Sequence, residues 1–214
     1  FGSTNEIGVF EMREEGLQEV PNPSESLLSG RPVGVAGTCV ACAMEGSRPV
    51  LAELQALVTK SGTNIPRRSF NGIDYNRAML LLAVLEKRGG LRISACDAYL
   101  NVIGGLQLDE PAADLAAVLA IASSYTDRPI PDQMAAIGEV GLTGEIRSVS
   151  AIEQRLAEGR RLGFDTCIVP RLREKKLKFP DGLQLIQVKN VSEALSAAIG
   201  ARRRNEEENI NSGT

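Results

Sequence analysis

With 214 residues, 43% of them hydrophobic and 24% charged, the chain can bury a sizeable core as one large domain or two small ones. A net charge of −3 at pH 7 excludes a uniformly basic nucleic-acid coat but leaves room for a local cationic patch. No apolar run approaches the roughly 18 residues that a membrane helix needs, and no basic-then-apolar leader opens the chain, so a cytoplasmic protein with no membrane partner is expected.

Residues 7–13 alternate as a strand does, and 16–20 are placed to return beside them. Pro21-Asn22-Pro23 marks a turn, with Ser24 the expected cap of a short helix through Leu28. Residues 33–44 and 50–59 read as strands joined by the tight Glu45-Gly46-Ser47-Arg48-Pro49 connection, a hairpin. A polar, basic loop over 61–71 precedes a helix over 73–88 whose apolar residues wrap most of its circumference, so it should be buried on more than one side; Gly89-Gly90 ends it.

A strand follows over 93–102. Pro111 then starts an alanine-rich helix through Ser124, apolar all round except for Asp114 and therefore expected at the centre of the fold. Residues 134–140 and 145–149 read as strands around a glycine-rich turn, 150–162 as a helix, 166–169 and 183–188 as strands, and 191–199 as the last helix. Asn190 and Glu193 have the spacing of a cap with a returning acid. The arginine run 202–204 is answered by the glutamates 206–208, so 201–214 is expected to be a disordered charged tail after a folded part spanning 1–200. Strands alternating with helices, with hairpins near the start, give an α/β class with a mixed, α+β-like sheet, either as one domain or as two subdomains meeting near residue 110.

The chemistry legible in these residues is sparse. Cys39-Val40-Ala41-Cys42 has the spacing of a metal knuckle, but the chain has no histidine, and residues three apart on a strand point to opposite faces. The four cysteines are therefore expected to be free thiols, Cys96 and Cys167 acting as small buried hydrophobes, with neither a metal nor a cofactor held by this chain. Without histidine every imidazole-based mechanism is excluded, and 138–144 lacks the Gly-Lys-Ser/Thr ending of a phosphate loop. Asp109 and Glu110 suit the dipole of a helix start. Ser123 and Ser124, near a helix end, read as solvated or bonded to backbone carbonyls.

Arg67, Arg68 and Arg77 form the most suggestive constellation, three cations within reach of one phosphate backbone; the plainer reading of Arg77 is an i,i+3 ion pair with Asp74. Lys175, Lys176 and Lys178 make a second basic cluster that suits a solvated face. Aromatic residues are only 4% of the chain, so base stacking is not expected to dominate, and Phe70 and Tyr75 are read as core residues.

Three stretches in order, Asp109-Glu110-Pro111-Ala112-Ala113-Asp114, then 138–146, then Ser150-Ala151-Ile152-Glu153, resemble the proteolytic domain of Lon-type proteases. In that family a serine nucleophile opens the helix and a lysine in the later helix activates it; the matching positions here are Ala112 and Glu153. The resemblance therefore implies a peptidase fold without catalytic residues. Ser150 and Glu153 instead match the S-x-x-E capping box. A nearer resemblance, over roughly 1–200, is to the C-terminal part of the bacterial RadA (Sms) recombination and repair family, carried by Phe1-Gly2, Glu45-Gly46-Ser47-Arg48-Pro49, 53–57, the Arg67-Arg68 to Arg77 segment and 83–88.

That family resemblance implies a fragment of a longer chain, with a zinc finger and an ATP- and Mg-dependent RecA-like core upstream. It further implies a hexameric ring active in DNA branch migration, non-specific duplex or branched DNA as partner, and a cooperating recombinase. A peptidase with a displaced dyad using Ser123 or Ser124, and a purely structural oligomerisation domain, are the alternatives.

Overall fold

A computed structural model describes residues 10–13, 15–19, 22–172 and 177–200. The start of the first expected strand, the head of the 21–23 turn, Lys175, Lys176 and the charged tail lie outside the described residues.

The strands are β1 (Phe10–Arg13), β2 (Gly16–Glu19), β3 (Thr38–Glu45), β4 (Arg48–Lys60), β5 (Arg68–Asn71), β6 (Cys96–Val102), β7 (Met134–Ala136), β8 (Glu139–Val140), β9 (Ile146–Arg147), β10 (Thr166–Pro170) and β11 (Gln184–Val188). The helices are α1 (Pro23–Leu28), α2 (Tyr75–Gly89), α3 (Asp114–Thr126), α4 (Ile152–Arg161) and α5 (Val191–Ile199). Seven strands form one sheet in the order β11-β10-β7-β3-β4-β6-β5. Pairing is parallel from β11 to β3, antiparallel through β3-β4-β6, and parallel again between β6 and β5. This is the mixed α/β class expected from the alternation of elements.

Two apolar layers lie on opposite faces of that sheet. On one, α3 packs against β3 and β4, flanked by α2 and α5. Every residue from Asp114 to Ser123 is buried, and the alanines at 116, 117, 120 and 122 let the sheet and the flanking helices approach α3 closely. Gly37 lets the chain entering β3 lie close against β4: its φ is +94°, and a β-carbon there would meet the Ala56 carbonyl oxygen at 2.5 Å. On the other face, α4 covers Val40, Cys42, Leu51, Ala135 and Cys167.

The structure moves several expected boundaries. Strand β3 begins at Thr38; Val33 and Val35 precede it and are exposed, because the chain turns away from β4 at Gly37, where φ is +94°, and the Val58 amide of β4 goes to Ser124 Oγ instead. Asn22, not Ser24, caps α1 by accepting from the Glu25 amide at 3.3 Å; Ser24 is buried and its Oγ accepts from the Leu51 amide at 3.0 Å. The basic loop is shorter than expected, since 68–71 pair with β6 as the edge strand β5. Tyr75 is 52% exposed and stacks at a tilt on Phe70, 5.4 Å between centroids, so only Phe70 packs on the core.

Candidate functional site

Ala112 sits in a 3₁₀ turn, Pro111–Ala113, that feeds α3. Its methyl is 2% exposed, and its carbonyl accepts from the Gly138 amide at 3.0 Å while Leu115 donates to the Gly138 carbonyl at 3.1 Å. The backbone of this turn is thus stitched to the 138 segment and its side chain offers no polar atom.

Glu153 lies in the first turn of α4 and accepts from the Lys178 amide. The expected capping box is not formed. Ala151, left-handed at φ 54° and ψ 34°, occupies the N-cap without a side-chain cap bond, so the helix starts one residue too late for Ser150 to cap it. A cavity of about 520 Å³ opens beside Glu153, lined by Ser148, Ser150, Gln154, Pro170 and Leu177 among others; Ala112 is not among its described lining residues. The two matched positions therefore do not share one described pocket.

What spans them is an ion pair that sequence reasoning missed. Arg155, on α4, has no exposed side-chain surface and binds the Glu110 carboxylate in a fork through Nη1 and through Nη2, the latter at 2.9 Å. The same guanidinium donates to the Cys42 carbonyl at 2.6 Å and the Ser150 carbonyl at 2.9 Å, and Glu110 accepts in addition from the Met44 amide at 2.8 Å. Glu110 thus serves Arg155 and β3 rather than a helix dipole.

Arg77 behaves similarly, contrary to the expectation that it faces a phosphate. Its guanidinium forks onto the buried Asp114 carboxylate, Nε to Oδ1 at 3.0 Å, and Nη2 also reaches the Val140 carbonyl at 3.0 Å. The carboxylate hydrogen bond raises the Arg77 pKa, keeping it charged. Asp114 also accepts from the Val140 amide at 3.1 Å. Asp74, the alternative partner, caps α2 by accepting from the Arg77 amide at 2.8 Å. Arg77 joins α2, α3 and β8 and does not meet Arg67 and Arg68 as one cluster.

Arg68 is held to the protein by its own backbone neighbours: Nη1 donates to the carbonyls of Arg67 and Cys96, and Nη2 to that of Ile93 at 3.1 Å. Arg67 is exposed, and its amide donates to Asp97 Oδ1 at 2.8 Å. That bond, with the Ser61 hydroxyl and the neighbouring guanidinium charges, holds the Asp97 carboxyl below its ordinary value. Lys60 closes the same end of the sheet, opposite Cys96 in register, and Arg92 is exposed nearby on the segment entering β6. Lys178, from the second basic cluster, contributes its amide to Glu153.

Ser123 Oγ accepts from the Gly37 amide at 2.9 Å and donates to the Arg128 carbonyl, and Ser124 Oγ accepts from the Val58 amide at 2.9 Å. Ser123 is buried and bonds a backbone carbonyl, one of the two expected uses, while the half-buried Ser124 tethers β4 as an acceptor, and neither hydroxyl is left to solvent. Cys39 and Cys42 fall in different core layers, as three residues on a strand dictate, and burial pushes each thiol up to about 12. Cys167 is buried too, whereas Cys96 is half-buried rather than fully enclosed.

Residues 98–201 match the family model of the Lon protease (S16) C-terminal proteolytic domain. The DNA repair protein RadA of Bacillus subtilis (strain 168) is 54% identical over 200 residues, 94% of this chain and 44% of that protein. RadA of Listeria monocytogenes is 50% identical over 199 residues, 93% of this chain and 44% of the relative, and RadA of Streptococcus pneumoniae (strain R6) is 51% identical over 195 residues, 91% and 46%. The chain spans less than half the length of these curated relatives.

Proposed function

Since this chain belongs to the RadA family of DNA repair proteins and carries its Lon-type C-terminal domain, we propose that it serves DNA recombination and repair as a peptidase-inactive platform for DNA contact and assembly. In a longer RadA-type protein it would help build a hexameric ring around which an ATP-driven core performs branch migration. The observation that carries the inactive reading is the buried methyl of Ala112 at the start of α3, with an acid at 153 engaged by the Lys178 amide. A serine-lysine mechanism needs a hydroxyl beside a neutral amine, and neither group stands at the matched positions.

DNA contact is assigned to the cationic end of β4, β5 and β6. Arg67 is the exposed contact, Arg68 a rigid rim, and Lys60 and Arg92 neighbours of the same sign. Such contacts give affinity without sequence preference and a binding constant that falls steeply with salt. Arg77 supports the fold through Asp114 instead.

The test is anisotropy of labelled DNA with Arg67→Ala across a salt series. The expected result is weaker binding and a salt slope reduced by about 1. Unchanged affinity and slope remove DNA contact from this end of the molecule and leave the assembly role alone, which sedimentation measures directly.

A further inference from the structure

Asn71 is the last residue of β5, the strand at one margin of the seven-stranded sheet, and its pairing with Asn101 is the last that joins β5 to β6. It is exposed, and among the described residues nothing bonds its carboxamide. Gly72 follows, the one glycine in the chain that an asparagine precedes. The Gly72 carbonyl accepts from the Leu108 amide at 2.7 Å, whereas its own amide meets no acceptor among the described residues.

Glycine is obligatory at 72. Its φ is +79°, and a β-carbon there would meet Val102 Cβ at 2.5 Å and the Leu106 carbonyl oxygen at 2.6 Å. The fold thus requires the least hindered of backbone amides beside an exposed, unbonded carboxamide. The other asparagines of the described residues lack that combination. Asn22 and Asn190 use their carboxamides to cap α1 and α5, and Asn76 lies within α2. Asn64 and Asn101 are followed by Ile65 and Val102, whose β-branched side chains crowd the amide nitrogen.

We propose that Asn71 is a site of spontaneous covalent modification, at which the Gly72 amide converts the asparagine through a cyclic imide to isoaspartate and so releases β5. Hydroxide takes the Gly72 amide proton, the nitrogen bonds to Asn71 Cγ, and the Cγ–Nδ2 bond breaks with loss of ammonia. Water then opens the imide. Cleavage of the new Cγ–N bond leaves aspartate, whereas cleavage of the original peptide bond leaves isoaspartate, whose main chain runs through Cγ and is one carbon longer. Ring closure needs Asn71 to leave its extended backbone, which the end of a four-residue edge strand does by fraying.

The added carbon has no room on the Gly72 side, because that residue is held by the Leu108 amide and packed against Val102 and Leu106. It must be taken up within β5. The strand then lifts from β6, the half-buried Phe70 leaves the margin of the core, and the tilted contact between Phe70 and Tyr75 opens. A carboxylate also replaces a neutral amide at that margin.

The folded chain, warmed at pH 8, should accumulate a gain of about one mass unit in the peptide spanning 71–72 and become a substrate for isoaspartyl methyltransferase. The rate should lie within about tenfold of that in the urea-unfolded chain, since fraying of a strand end is all that gates it. Asn71→Gln, whose longer side chain closes the ring far more slowly, should remove both signals from that peptide without altering the starting fold. After ageing, the Ser69 and Phe70 amides should exchange with deuterium faster in the unaltered chain and at the original rate in Asn71→Gln. A native rate below the stated range overturns the site, as does methyl acceptance undiminished in Asn71→Gln. Isoaspartate at 71 with Ser69 and Phe70 still protected overturns the release of β5.

Discussion

Arg155 and Glu110 form a forked ion pair two residues beyond Glu153 and two residues before Ala112, tying the start of α4 to the entrance of α3. The guanidinium is fully enclosed and also holds carbonyls of β3 and of the 150 turn, so removing it would strand a carboxylate and two acceptors. Arg155→Ala should therefore cost about 3–5 kcal/mol in urea unfolding. Glu110→Gln, which keeps the arginine stem and an acceptor for Met44 and Arg155, should cost less; equal losses would mean that the charge of the pair, and not packing of the arginine stem, carries the stabilisation.

Arg77 and Arg67 should separate cleanly in paired measurements. Arg77→Ala leaves the buried Asp114 carboxylate without its guanidinium and should lower stability by about 2–4 kcal/mol, while DNA affinity of the folded fraction stays unchanged. Arg67→Ala should change stability by about 0.5 kcal/mol or less, as an exposed side chain does. A reversal of the two outcomes would reinstate Arg77 as a contact.

Ala112→Ser should remain unlabelled by serine-directed covalent probes. The new hydroxyl would lie in a buried turn with no amine at 153 to accept its proton. Labelling of this variant, or of Ser123 or Ser124 in the unaltered chain, would show a base that the present reading lacks.

Thiol alkylation at pH 8 should modify Cys96 alone in the native chain. Cys39 and Cys42 are buried with thiols pushed up to about 12, and Cys167 is shifted in the same direction by burial, so their thiolate populations are negligible. Intact mass should show one label under native conditions and four after denaturation.

Asp97 should contribute to acid sensitivity. Its carboxyl is held below the ordinary 3.8 chiefly by the Arg67 amide, so folding is favoured by the ionised form. The contribution is fully present above that ordinary value and is lost as pH falls through the lowered one. Asp97→Asn should flatten the dependence of the urea midpoint on pH below about 4, leaving the slope near neutrality unchanged.

Much of the framework was legible because it is written in short-range patterns. The run after Pro111, apolar all round but for Asp114, could only be a central helix, and Asn190 capping α5 at 2.9 Å from the Glu193 amide follows from side-chain chemistry alone; its returning acid, though, bonds the Lys189 amide at 2.8 Å. Ser150 and Glu153 misled for a physical reason: the capping motif presumes that the residues between are helical, and Ala151 is left-handed. Arg77 misled differently. Its partner lies thirty-seven positions away on α3, and no local spacing announces that contact, although a lone Asp114 in an apolar helix was the available hint.

Glu110 and Arg155 escaped notice because an acid before a helix and an arginine within one are each ordinary in isolation.

The strap joining Cys42, Glu110, Ser150 and Arg155 makes mechanical neighbours of three segments that the chain order keeps far apart. A push delivered to α4 would not be absorbed locally; it would travel through one guanidinium into the middle of the sheet and the head of the central helix. The region where a hydrolase would need give to admit a polypeptide is thereby braced, and it moves as a block or not at all.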